Sequence, residues 1–156
     1  MGGAVSERAK TDPSTQLCFK LGKLVRRVQQ YYDRRLAPYG LTPSQFFVLD
    51  VLWTGDGLTV TELGERVALD ASTLTGILDR MERGSLVERQ TNPSDRRSLL
   101  IRLTDRARAL EHEVLPIADE LDTSLRTPFP VDDVAVFERV LDSLTDVMGD
   151  MPKEDD

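Results

Sequence analysis

Only one cysteine, one histidine and one tryptophan occur among the 156 residues. A single cysteine excludes an internal disulfide framework, and such usage suits a reducing compartment. His112 stands between Glu111 and Glu113, too sparse a donor set for a metal centre. Nowhere does an apolar run reach the ~18 residues that a membrane helix needs. The opening stretch MGGAVSERAKTDPS lacks the apolar core of a signal peptide. No glycine-rich phosphate loop and no nucleophile elbow is present. The expectation is therefore a soluble, cytoplasmic chain that is not an enzyme, with no catalytic residues, no metal, no cofactor and no membrane partner.

What is present is enough chain for one domain with a buried core. The formal net charge is −7, but it is unevenly spread. Residues 1–57 carry 8 basic and 5 acidic side chains, a net of +3. Residues 58–104 carry 7 of each, and every basic group there is an arginine. Residues 105–156 carry 5 basic and 15 acidic groups, a net of −10. Local fields, not the total, govern docking on a charged partner.

Helical periodicity dominates. Residues 14–37 place Leu17, Leu21, Leu24, Val25, Val28, Tyr32 and Leu36 on one stripe, started by Asp12-Pro13-Ser14 and broken at Pro38-Tyr39-Gly40. Thr42-Pro43-Ser44-Gln45 is a capping box with proline at the first helical position. It opens a helix with Phe46, Leu49, Val51, Leu52 and Trp53. Thr104 caps a long helix that carries Ala107, Leu110, Val114, Ile117, Ala118, Leu121 and Leu125, and Pro116 within it is expected to kink it. After Thr127-Pro128-Phe129-Pro130 a last helix carries Val134, Phe137, Val140, Leu141, Leu144, Val147 and Met148. These outer helices show more apolar stripe than one small domain covers, which implies a two-fold partner.

The stretch Leu58–Thr104 has a different texture. Thr59-Val60-Thr61-Glu62 is a second capping box, opening a short helix with Leu63 and Val67 on one face. Asp70 is a good N-cap for the next helix, whose buried stripe is Leu74, Ile77, Leu78 and Met81. Ser72, Thr73, Thr75, Gly76, Asp79 and Arg80 lie off that stripe. Small hydroxyl residues near the start of an exposed helix permit close approach to base edges and phosphates, although an ordinary solvent-facing helix has the same pattern. Leu86–Arg89 and Ser98–Leu103 alternate as two strands, with Thr91-Asn92-Pro93-Ser94 as the turn and Leu99, Ile101 and Leu103 toward the core. Asp95 is placed to hold the Arg97 guanidinium in a bidentate pair and aim it outward. A planar, permanently charged fork at a hairpin tip, with Arg96 beside it, suits a narrow minor groove.

Two short helices followed by a hairpin form a winged helix-turn-helix. The text DASTLTGILDRME with the DRR wing before LIRLT resembles the MarR family of bacterial transcriptional regulators, and the likeness spans nearly the whole chain. The resemblance implies a mainly α fold with a small β-hairpin wing: one MarR-type domain over 1–156, a DNA-binding lobe at 42–104, and helical dimerisation arms at 14–37 and 105–149. It implies double-stranded DNA as partner, read as an inverted-repeat operator by a homodimer, with repression the family default. Ser72, Thr73, Thr75, Gly76, Arg80, Asp95, Arg96 and Arg97 are the implied DNA-binding residues.

Within the family, Q-L-C-F around Cys18, together with LTV, LD-x-x-TLT and RME, is similar to the OhrR-like branch that senses organic hydroperoxides. By that resemblance Cys18 is oxidised and DNA released, and Tyr32 falls where a tyrosine bonds the thiolate. The chain departs from the branch at Pro43 and Gly22, where further tyrosines stand, so two donors to a thiolate are missing. The alternative reading of Cys18 is a small structural hydrophobe. Without a second cysteine, oxidation has to be trapped by an external thiol, a sulfenamide or an intersubunit bond. The competing switch is a small phenolic or aromatic ligand in an arm–lobe cleft lined by Tyr31, Tyr32, Tyr39, Phe46 and Trp53. A winged helix serving as a protein-interaction module is the alternative outside DNA binding.

Overall fold

The computed structural model describes residues 12–149. It divides into two compact units, one ending at Val114 and one beginning at Leu115. The first unit opens with a 3-10 turn, Pro13–Thr15, whose amide Ser14 is capped by Asp12 at 3.0 Å. Helix α1 follows (Leu17–Leu36), then a second 3-10 turn ended by Gly40 in the left-handed region at φ 68°. Helix α2 is Pro43–Thr54, strand β1 is Leu58–Thr59, and helix α3 is Val60–Val67. Helix α4 (Ala71–Arg83), strands β2 (Val87–Thr91) and β3 (Leu99–Leu103), and helix α5 (Asp105–Arg126) complete the path into the second unit, which adds α6 (Val131–Gly149). No described helix is long and apolar enough to cross a membrane.

The local starts are those that the side chains dictate. Thr42 accepts from the Gln45 amide at 3.3 Å while Gln45 Oε1 accepts from the Thr42 amide at 3.0 Å. Thr59 and Glu62 make the same reciprocal pair at 3.2 and 2.8 Å. Each box satisfies two amides that a helix start would otherwise leave bare. Thr104 accepts from the Ala107 amide at 3.2 Å and donates to Ser85 O at 2.7 Å, so it caps α5 and fastens it to the turn before β2.

The sheet has three strands, not the two expected. The order is β1-β3-β2, all antiparallel, with Leu58 opposite Ile101 and Val87 opposite Leu103. Strand β1 is too short to announce itself by alternation, and only its pairing with β3 makes it a strand. The hairpin also reaches further than expected: Thr91 belongs to β2 and pairs with Leu99. Ile101 and Leu103 are buried, but Leu99 is 45% exposed, because it sits at the distal end of the hairpin beyond the lobe's core. The expectation that Leu99 faces the core is thus corrected.

The core of the first unit gathers Leu36, Phe46, Val48, Leu49, Leu52, Leu63, Leu74, Leu78, Met81, Val87, Ile101 and Val114, all essentially inaccessible. Helix α2 is its centre. The Phe46 ring stacks on Tyr32 at 5.3 Å and meets Trp53 at 6.3 Å, and the Trp53 indole donates to Ala107 O at 3.1 Å. Arrangements of this kind add to area burial through the ring quadrupoles.

Outside this core the helices are less covered. In α1 only Tyr32 and Leu36 are buried, and Leu17, Phe19, Leu24 and Val25 are exposed. In the second unit α6 has no buried residue, and Val136, Phe137, Val140, Leu141, Val147 and Met148 are exposed. Helix α5 runs on through Pro116, which removes the donor for the His112 carbonyl. The division between the units falls just before that proline.

Phe46→Ala should destabilise the first unit by about 3–5 kcal/mol, as expected for emptying a fully buried aromatic site. Denaturant unfolding followed by tryptophan fluorescence and circular dichroism measures this directly. A loss below about 1 kcal/mol would contradict the placement of Phe46 at the core.

Candidate nucleic-acid interface

The helix-turn-helix is built by α3 and α4 around a very tight corner. Ala68 ends α3 in the left-handed region at φ 53°, and the Leu69 amide donates back to Gly64 O at 3.0 Å. A Cβ on Gly64 would stand 3.2 Å from the Leu69 carbonyl oxygen, so a side chain at 64 would press the turn apart. Asp70 then caps α4: one carboxylate oxygen accepts from the Thr73 amide at 2.9 Å, the other from the Thr73 hydroxyl at 2.6 Å.

Leu74, Ile77, Leu78 and Met81 are buried, which turns the opposite face of α4 outward. Ser72, Thr73, Thr75 and Arg80 are exposed on it, and Gly76 is half-buried. The Thr75 hydroxyl donates to Ala71 O at 2.7 Å and keeps its acceptor lone pairs outward. The Arg80 guanidinium lies near Gly76, 3.7 Å from where a Cβ would be.

The wing tip is held by its own side chains. Asn92 Oδ1 accepts from the Ser94 amide at 3.0 Å, and Asp95 Oδ1 accepts from the Arg97 amide at 3.0 Å. The Asn92 side-chain amide donates to the Ser98 hydroxyl at 3.0 Å, which donates in turn to Asp95 O at 3.1 Å. Asp95, Arg96 and Arg97 are all exposed. Here the sequence reading needs correction: Asp95 holds the backbone of Arg97 in an Asx turn and does not grip its guanidinium. Among the described residues the Arg97 guanidinium makes no ion pair. The shortest route for that carboxylate is the amide two residues on, and it leaves the fork unspent.

Two contributors were not visible from local pattern. Arg89 on β2 reaches back to α4, with Nη2 on Asp79 at 2.7 Å and Nη1 on Glu82. It fastens the wing to the helix that precedes it. Asp56, between α2 and β1, accepts from the amides of Gly57 and Leu103, each at 2.9 Å, and pairs with Arg108 at 2.5 Å. Gly57 apart, their partners lie 7 to 52 residues away in the chain, and no periodicity marks them.

The remaining candidates are dispersed. Cys18 is exposed at the second position of α1. Tyr32 is buried 14 residues further along the same helix, which is about 21 Å of axial rise. One chain does not bring them together. Tyr31, Tyr39 and Trp53 are half-buried, and Phe46, 1% exposed, is core rather than the wall of an open cleft.

Comparison with known proteins agrees with this geometry. Residues 41–99 match the model of the MarR family. The HTH-type transcriptional regulator MgrA of Staphylococcus aureus is 35% identical over 107 residues, 68% of this chain and 73% of MgrA. A structure of reduced AbfR bound to DNA superposes with a TM-score of 0.74 at 30% identity, covering 86% of this chain and 94% of that one. PcaV of Streptomyces coelicolor, in complex with its natural ligand, superposes at 0.76 with 25% identity, covering 88% and 97%. The chain belongs to the MarR family of winged-helix, DNA-binding transcriptional regulators.

Two cap carboxylates make the lobe acid-sensitive. Asp70 is held below its ordinary value of 3.8, chiefly by the Thr73 hydroxyl and then by the Thr73 amide. Glu62 is held below 4.5, first by the Thr59 amide and then by its hydroxyl. A depressed folded-state pKa gives stability that is present above the unfolded value and lost as pH falls through the folded one. The melting temperature should therefore drop as pH goes below about 4, and Asp70→Asn, which still caps but cannot titrate, should flatten part of that slope. An unchanged slope in a melting series from about pH 6 to about pH 2.5 would remove Asp70 from the account.

Proposed function

We propose that this protein is a homodimeric repressor that reads an inverted-repeat operator with α4 in the major groove and the wing in the adjoining minor groove. The observation that carries it is the pairing of a hydroxyl-rich exposed helix face with an unspent, exposed Arg96-Arg97 tip. A hydroxyl-rich helix start suits base edges, and a forked cation suits a narrow groove. Ser72, Thr73, Thr75, Gly76 and Arg80 make the first surface and Asp95, Arg96 and Arg97 the second. We read 1–156 as one MarR-type domain, with the lobe at 42–104 and dimerisation arms at 14–37 and 105–149. The apolar residues exposed on α1 and on α6 among the described residues support the arms. Two lobes about 34 Å apart would then meet successive major grooves.

For control we propose oxidation of Cys18, in the manner of the OhrR-like branch. Exposure in the first turn of α1 makes the sulfur reachable. Tyr32 lies too far along α1 to bond the same chain's sulfur, so this role falls to the Tyr32 of a second copy. AbfR, similar to this chain, has been seen on DNA both reduced and overoxidized, so oxidation chemistry exists among its relatives. Pro43 is occupied as the first residue of α2 and Gly22 carries no donor, which predicts a slower sensor than one with the full set of tyrosines. A small aromatic effector, as PcaV's complex with its natural ligand illustrates for that protein, is the competing control.

The test is anisotropy titration against the DNA upstream of its own gene. Arg97→Ala should weaken binding roughly tenfold or more while melting as the wild type does, because a groove-inserted arginine contributes without packing. Wild-type affinity in that variant would sink the wing assignment. Affinity that does not fall with salt would favour a protein-interaction module instead. Cys18→Ser should bind DNA and ignore cumene hydroperoxide that releases the wild type; oxidant release from Cys18→Ser would remove the sensor claim, and a wild type indifferent to oxidant would point to the aromatic effector.

A further inference from the structure

The outward face of α4 carries a charge that works against DNA. At ~100° per residue Asp79 lies within about 20° of Ser72, between Thr75 and Gly76, and Glu82 flanks Thr75 at about 80° from Ser72. Both are exposed, with side-chain accessibilities of 54% and 43%. Residues 70–83 hold three carboxylates, Asp70, Asp79 and Glu82, against two arginines, Arg80 and Arg83. Asp70 is occupied with its own helix start. The other two would stand toward phosphates wherever α4 enters a groove, and like-charge contact of this kind is penalised.

Among the described residues Arg89 alone answers both. It comes from β2, it is the least exposed member of the trio at 21%, and each terminal nitrogen takes a separate carboxylate. A lysine, as a single point charge, cannot span the two sites in this way. We propose that Arg89 is a positioning and charge-masking residue: the wing supplies a cation that pairs with both Asp79 and Glu82 and offsets half of their joint charge, and so makes α4 more admissible to the phosphate backbone. The inference rests on the DNA-facing assignment of α4 proposed above. It also gives α4 a reason to tolerate acids at 79 and 82, since they dock the wing when paired and repel DNA when unpaired.

A purely mechanical bracket would be lost in Arg89→Ala and would stay lost whatever else were changed. A mask would not. Against a duplex from upstream of its own gene, Arg89→Ala should bind roughly tenfold or more weaker at low salt, with the deficit shrinking as salt screens the carboxylates. Adding Asp79→Asn and Glu82→Gln to Arg89→Ala should bring affinity back to within a few-fold of the wild type. A triple variant as weak as Arg89→Ala, or an Arg89→Ala protein that binds as the wild type does, overturns the mask. Should Arg89→Ala not fold, Asp79→Asn with Glu82→Gln on the wild-type chain decides: tighter binding supports the mask, and unchanged or weaker binding overturns it. Arg80→Ala and Arg97→Ala serve as controls. Wild-type binding by both would place DNA elsewhere and overturn the underlying surface, and the mask with it.

Discussion

A single carboxylate, that of Asp56, is the fastening on which the lobe depends. It sits where α2 ends, its side chain is 19% exposed, and it accepts from the amides of Gly57 and Leu103 while pairing with Arg108. Those partners belong to the connection into β1, to the end of β3 and to the first turn of α5. Strand β3 is the middle of the sheet, so its placement sets β1 on one side and the wing strand on the other. Gly57 answers the same corner: its φ of 77° lies in the left-handed region that side chains resist. Without this acceptor the Leu103 amide would have to find water in a partly closed space, an expensive exchange, while the Gly57 amide would keep Ile101 O at 3.1 Å and Arg108 would keep Leu103 O at 3.3 Å.

From that anchor outward the helix-turn-helix and the wing form one body. Leu63 of α3 and Leu74, Leu78 and Met81 of α4 join the core that Ile101 closes from the sheet side. Arg106 and Thr104 bind the carbonyls of Gly84 and Ser85, so the α5 start holds the turn from α4 to β2. Direction is therefore built into the lobe before any partner arrives. Charge is not: this body carries equal numbers of acids and bases, and the surplus of acid lies in residues 105–156. Affinity for a polyanion then depends on where each arginine is spent. Arg89, Arg102 and Arg108 are committed inward to carboxylates, and Arg96 and Arg97 are left for the outside.

How much of this was legible in the sequence follows from distance along the chain. The caps at Thr42, Thr59, Asp70 and Thr104 were readable because a cap and its amide are within three residues, and so was the buried stripe of α4. The mainly helical winged architecture followed from those pieces in order. Strand β1 was not legible, because two residues carry no period and only Ile101 and Leu100 opposite make them a strand. Leu99 misled because alternation gives a face and not how far the sheet extends over the core. At the candidate interface the exposed set on α4 and the wing was legible, while the role of Asp95 was misjudged: a nearby amide outcompeted a more distant guanidinium. Arg89 and Asp56 act across folded space and had no local signature at all.

Helix α4 is also bounded by two residues in a backbone state that side chains resist. Ala68 before it and Ser85 after it have φ of 53° and 54°, where an L residue gives up roughly 1–2 kcal/mol that glycine would not. Neither position is glycine, although Gly84 stands beside one of them. The lobe thus spends stability at both ends of the element that it presents. A reserve of that kind is recoverable without touching the outward face, so the thermal tolerance of this fold and the surface that α4 presents are separately adjustable.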